Sequence, residues 1–114
     1  MTYRVFELPD FQEFIYALGV APEVVEDGTL RLAFQGDKDE VVVTLDATGR
    51  SVHVRWLRED LPILELVREG AVRVRLESRP RSSLAVEFET DSLSGVLKVQ
   101  VEPRFTINDQ LLFR

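Results

Sequence analysis

The chain has 114 residues, a formal net charge of −6 at neutral pH and no cysteine. That length makes one domain, residues 1–114, whose core needs no covalent staple. The missing thiol excludes disulfides, zinc–thiolate sites and cysteine nucleophiles, and the acidic balance opposes nucleic acid and anionic membranes as partners.

Residues 3–8 read as a short leading strand. Asp10 then opens a helix. Phe11, Phe14, Ile15 and Leu18 fall at i, i+3, i+4 and i+7 on one face. Asp10 and Glu13 form a variant capping box, and Gly19 supplies the stop. Residues 21–28 are a connector with one helical turn at Pro22, Glu23, Val24 and Val25.

Three strands follow, alternating apolar and polar residues at a period of two. Leu30, Leu32 and Phe34 share a face in the first, Val41, Val43 and Leu45 in the second, and Val52, Val54 and Trp56 in the third. Turn tips at Asp37-Lys38 and Thr48-Gly49 align Leu30 with Leu45 and Val52, Leu32 with Val43 and Val54, and Phe34 with Val41 and Trp56. All of these apolar side chains then lie on one face, and a slip of one residue would turn a strand's set to the other.

Residues 61–69 read as a second short helix, with a strand as the alternative. Asp60 stands at the cap, Pro62 in the first turn and Gly70 just past the end. A second trio of strands sets Val72, Val74 and Leu76 beside Leu84, Val86 and Phe88, and these beside Leu97, Val99 and Val101. Its outward row, Arg73–Glu87–Lys98, alternates in charge. Residues 105–113 alternate briefly, turn at Asn108-Asp109 and end apolar. The expected fold is α+β: a mostly antiparallel sheet of six to seven strands, built as two three-strand meanders, with a short N-terminal helix and a second short helix packed on one face.

Few residues carry chemistry. The single histidine, His53, faces outward beside Thr44 and then Arg31, with Ser51 two residues away and Asp46 opposite Ser51. Asp46, Ser51 and His53 are residue types of nucleophilic catalysis. On an open sheet they stand roughly parallel, with no oxyanion hole and nothing to exclude water, so no catalytic residue is assigned. Arg31, His53 and Arg55 form instead a candidate anion patch. The acidic loop 36–40 lacks the internal glycine and distal glutamate of a calcium loop, and Arg79-Pro80-Arg81 is a solvated basic turn. No metal site or cofactor is expected. Trp56 points inward to the core, while Val42 and Leu57 fall on the opposite face near Ala33. No apolar run reaches the ~18 residues of a membrane-spanning helix, and residues 1–5 lack signal-peptide anatomy, so a cytoplasmic location is expected.

The segment Glu40-Val41-Val42-Val43-Thr44-Leu45-Asp46 running into Val52-His53-Val54-Arg55-Trp56, and Phe88-Glu89-Thr90-Asp91 followed by Gly95-Val96-Leu97-Lys98-Val99, resemble the strand hairpins of the type III secretion chaperone-like group, including YbjN-type proteins. The resemblance implies a non-enzymatic, often dimeric chaperone or adaptor and carries no site residues. That group ends in a long helix, for which residues 105–113 leave no room, and residues 72–76 look like an extra strand.

These features give a small, acidic, non-catalytic binding or adaptor protein of chaperone-like character. It contacts a protein partner, or a second copy as a homodimer, through a sheet edge and the segment bearing Phe105, Ile107, Leu111, Leu112 and Phe113. Two alternatives stand beside it. A small-ligand protein or enzyme would use a cavity between sheet and helices lined by Trp56, Phe34 and Phe14, with Arg31 or His53 at its mouth. An immunity or inhibitor protein for a basic toxin or nuclease would fit the charge and the small size.

Overall fold

A computed structural model describes residues 5–26 and 28–113. Among these residues there is one helix, α1 (Phe11–Leu18), followed by β1 (Glu23–Glu26), β2 (Thr29–Gln35), β3 (Asp39–Asp46), β4 (Ser51–Arg58), β5 (Leu61–Glu69), β6 (Ala71–Glu77), β7 (Ser83–Glu89), β8 (Leu93–Gln100) and β9 (Thr106–Phe113). The strands form two antiparallel sheets, β1-β2-β3-β4-β5 and β6-β7-β8-β9, in which every neighbour in space is also the neighbour in sequence. The expected single sheet of six to seven strands with two helices is therefore corrected. Among the described residues the architecture is essentially all-β, two sheets that share one core with one short helix.

One continuous core holds both sheets and the helix together. Leu32, Val43 and Val54 enter it from the first sheet, Leu84, Val86 and Leu97 from the second, and Phe14, Ala17 and Leu18 from α1. Full burial of each such large side chain contributes roughly 1.5–3 kcal/mol. Helix α1 lies against β6 and β7. Asp10 caps it by accepting from the Glu13 N–H at 3.0 Å, and Gly19 ends it in the left-handed conformation at φ 78°. Of the expected stripe, Phe14 and Leu18 are buried, while Phe11 and Ile15 lie at its margin.

The first meander has the register expected from its alternation. Leu30 pairs with Leu45 and Leu45 with Val52; Leu32, Val43 and Val54 form the next row, and Phe34, Val41 and Trp56 the third. The remaining elements depart from the reading. Residues 23–26 form the edge strand β1 rather than a helical turn. Of the expected leading strand, residues 3 and 4 lie outside the described residues, and Glu7 makes a single parallel bridge to Arg73. In the second sheet a bulge puts Ala71, not Val72, opposite Phe88. The β7–β8 pairing lies two residues from the expected one, setting Leu84 against Val99 and Phe88 against Gly95. A two-residue shift keeps every side chain on its face, so alternation cannot detect it. It moves Lys98 opposite Ala85 and breaks the expected charge row; Lys98 pairs with Glu77 at 3.7 Å instead.

The helix expected at 61–69 is strand β5, paired along β4. Its supposed helix signals serve other purposes. Glu59 and Asp60 both have positive φ, 51° and 67°, as a two-residue hairpin turn requires. Pro62 sits at the bulged start of an edge strand, where its missing N–H is tolerated. Gly70, at φ 89°, is the one-residue link between the sheets. The N–H groups of Gly70 and Ala71 both donate to the Arg50 carbonyl, at 3.0 and 2.9 Å, and the Gly70 carbonyl accepts from Glu89 at 3.0 Å.

Candidate protein-binding edges

Strand β9 runs unbroken from Thr106 to Phe113, which corrects the turn expected at Asn108-Asp109. It forms the free edge of the second sheet. Its residues divide into two groups. Phe105 and Ile107 are half-buried against the core, and Phe105 meets the Trp56 ring edge-on with centroids 6.3 Å apart. Leu111, Leu112 and Phe113 remain exposed, Leu112 at 66% and Phe113 at 90%. Among the described residues, none covers this apolar end.

Strand β5 is the free edge of the first sheet. Cross-strand partners share a face, so Arg68 points inward with Val52, and Asp109 points inward with Leu97. The two meet in an ion pair that ties the free edges together. Inward-turned charge is one way in which sheets manage an open edge. We expect Arg68→Met and Asp109→Asn, separately and together, to give a coupling of about 1 kcal/mol in a double-mutant cycle. Identical coupling at low and high salt would contradict an electrostatic origin.

The candidate anion patch lies on the outer face of the first sheet. Arg31, Thr44 and His53 stand in one row, with Arg55 in the next. Strand β5 adds a group absent from the sequence reading: Glu65 lies opposite Arg55, and its Oε1 is 2.9 Å from His53 Nε2. A carboxylate therefore sits among Arg31, His53 and Arg55. Asp46 and Ser51 are cross-strand partners, but Asp46 Oδ1 accepts from the Gly49 N–H at 2.9 Å. With His53 turned to Glu65 and Asp46 committed to its turn, the three do not form a proton relay.

A groove of about 680 Å³ lies between α1 and β6, lined by Tyr16, Ala17, Val74 and Leu76 among others, but none of the residues expected to line a ligand cavity borders it. Phe14 and Phe34 are buried in the common core, Trp56 packs on Phe105, and Arg31 and His53 occupy the opposite face of the sheet. Acidic residues gather at the turn end of the first sheet. Asp37, Asp39, Glu40, Glu59 and Asp60 surround a cleft of about 400 Å³ together with Lys38. Two of these carboxylates have cationic partners: Lys38 reaches Glu59 at 3.8 Å and Arg58 reaches Asp39 at 3.3 Å. Among the described residues no three His, Asp or Glu side chains converge as metal ligands, and no helix is long and apolar enough to cross a membrane.

Leu61, Ile63 and Val67 are the exposed apolar residues that a helical reading of β5 concealed. The signal that could have found them is the alternation of Leu64, Leu66 and Arg68 with Ile63, Glu65, Val67 and Glu69.

No protein-family model and no curated protein matches the chain. A solved structure shares its fold. A chain of the "Contact-dependent growth inhibition toxin - immunity protein complex from Klebsiella pneumoniae 342" superposes with a TM-score of 0.84, over 96% of this chain and 100% of that one, at 12% identity. At that identity the likeness is one of fold, and no residue roles are carried across.

Proposed function

We propose that this chain is a non-catalytic binding protein of the immunity kind, which occupies and neutralises a basic protein partner. The observation that carries the reading is the end-to-end likeness of fold to a chain of a toxin–immunity complex. Its own chemistry favours the neutralising role. The chain carries −6, its Asp46 and His53 are engaged by Gly49 and Glu65 rather than by each other, and its exposed apolar residues include those of two free sheet edges. An acidic surface steers a basic partner into encounter, and apolar edge residues hold it after docking. A chain without cysteine suits a reducing compartment, and on this reading it acts in the cytoplasm.

The tagged chain should retain from its native host a basic polypeptide that stops growth when expressed alone and ceases to do so when this chain is co-expressed. Association should slow by about tenfold or more between low and high salt as steering is screened. Retention of no basic protein, or of one harmless by itself, would sink the immunity reading.

Exposed Leu112 and Phe113 on the β9 edge favour a second reading, self-association in the manner of the dimeric adaptors implied by the YbjN-type resemblance. The −6 charge of each copy opposes it. A monomeric mass across a wide range of concentrations would remove this reading and leave the first intact.

A further inference from the structure

We infer that β5 is the docking edge for an extended segment of the partner in which lysine or arginine alternates with apolar residues, and that this segment adds to the first sheet as a new strand. The inference deepens the immunity reading and rests on it, since it names the chemistry of the partner's contacting segment.

The four sheet edges are not equivalent. Strand β1 has four residues and a bulge. Strand β6 is bridged by Glu7, whose N–H donates to Val72 at 2.9 Å and whose carbonyl accepts from Val74 at 2.9 Å, and α1 lies against it. Strands β5 and β9, of nine and eight residues, are the long free edges. A long edge with unpaired backbone groups and exposed apolar side chains templates association with another chain, and proteins blunt such edges unless they use them. Pro62 with its bulge blunts the start of β5 and the inward-turned Arg68 lies near its end; between them, pairing from Leu64 to Val67 is regular. Along that edge Leu61, Ile63 and Val67 are 68%, 53% and 62% exposed.

Charge selects the occupant. Glu65 and Glu69 flank Val67 on the outer face, and Glu59 and Asp60 form the turn that leads into the strand. Of the nearby cations, Arg68 turns inward to Asp109, Arg58 meets Asp39 and Lys38 meets Glu59, while Arg55 stands opposite Glu65, which also meets His53. What the edge presents is apolar contact framed by carboxylates, complementary to a basic–apolar strand. A second copy fits poorly. The antiparallel register that sets Ile63 against Val67 also sets Glu65 against Glu65, and like charges directly opposite are destabilising.

The test uses a labelled synthetic peptide of alternating lysine and valine, titrated into the isotope-labelled full chain and read by amide chemical shifts. It needs no natural partner, so its failure is separable from failure of the immunity reading. Shifts confined to β5 and β4, weakened about fivefold or more by Glu65→Lys with Glu69→Lys and unchanged by Leu112→Lys, would support the proposal. All of these substitutions lie at solvent-facing positions, and an unchanged thermal melt confirms that each variant folds. Shifts centred on β9, β1 or the acidic 36–40 turn, no shifts, or equal binding of a glutamate–valine peptide would overturn it.

Discussion

Replacing Gly95 with valine is expected to lift the C-terminal half of β9 from its sheet. Gly95 lies opposite Leu111 in the β8–β9 ladder. A Cβ at this position would stand 2.5 Å from the Gln110 carbonyl oxygen and 2.6 Å from Leu111 Cδ2. The leucine can rotate away, but the backbone carbonyl cannot move without disturbing the pairing of Val96 with Gln110 and Gly95 with Leu111. Overpacking of this kind costs roughly 1–3 kcal/mol. The loss should be local. Ile107 and Phe105 pack on the core, and Asp109 is held by Arg68, so the strand has an anchor up to residue 109. Hydrogen exchange should accelerate at residues 110–113 and stay slow at Ile107. If the apolar end of β9 contributes to capture of the basic partner, the partner's dissociation rate should rise in parallel. Unchanged protection at residues 110–113 would refute the steric argument.

Phe14→Ala should carry the largest thermodynamic penalty of any single truncation in the helix, about 3–5 kcal/mol. Phe14 is fully buried and joins α1, which lies against β6 and β7, to the common core. Stabilities of small domains are about 5–15 kcal/mol, so about a fifth or more of the total is at stake. An eight-residue helix is too short to persist on its caps alone, and without the phenyl anchor α1 should lose amide protection before the sheets do. Urea unfolding measures the effect, with Tyr16→Ala as the comparison. Tyr16, on the same helix, is exposed, and its loss should change stability by about 0.5 kcal/mol or less. Equal effects at the two positions would mean that the helix contributes nothing through its buried face.

Legibility in the sequence followed the physics that each segment expresses. The first meander was readable because its turns fix the register and its apolar residues tolerate only one face; Leu32, Val43 and Val54 align as expected. The helix was readable because Asp10 and Gly19 bound it chemically. Alternation reports that a strand has a buried face, but not what covers it, and so the division into two sheets was hidden. Punctuation was ambiguous in the same way. Asp60, Pro62 and Gly70 suit a helix's start and end, yet also suit a tight turn, an edge strand and a link between sheets. That one substitution of helix for strand concealed the β5 edge and kept Glu65 out of the predicted anion patch. The apolar end at Leu111, Leu112 and Phe113 was visible in the sequence; which of its neighbours would be covered was not, because Phe105 and Ile107 depend on Trp56 and the core for their burial.

The nearest-neighbour order of the strands has a consequence for biosynthesis. Each hairpin of the first sheet can close as soon as its second strand is made, since no pairing waits for distant chain. The helix is the exception. It is translated before every strand, yet it lies against β6 and β7, which follow it by more than fifty residues. Phe14, Ala17 and Leu18 must therefore wait, uncovered by these two strands, while the whole first sheet is produced. The interval between making that apolar surface and covering it is when a nascent chain of this design is most open to aggregation or to a chaperone's grip.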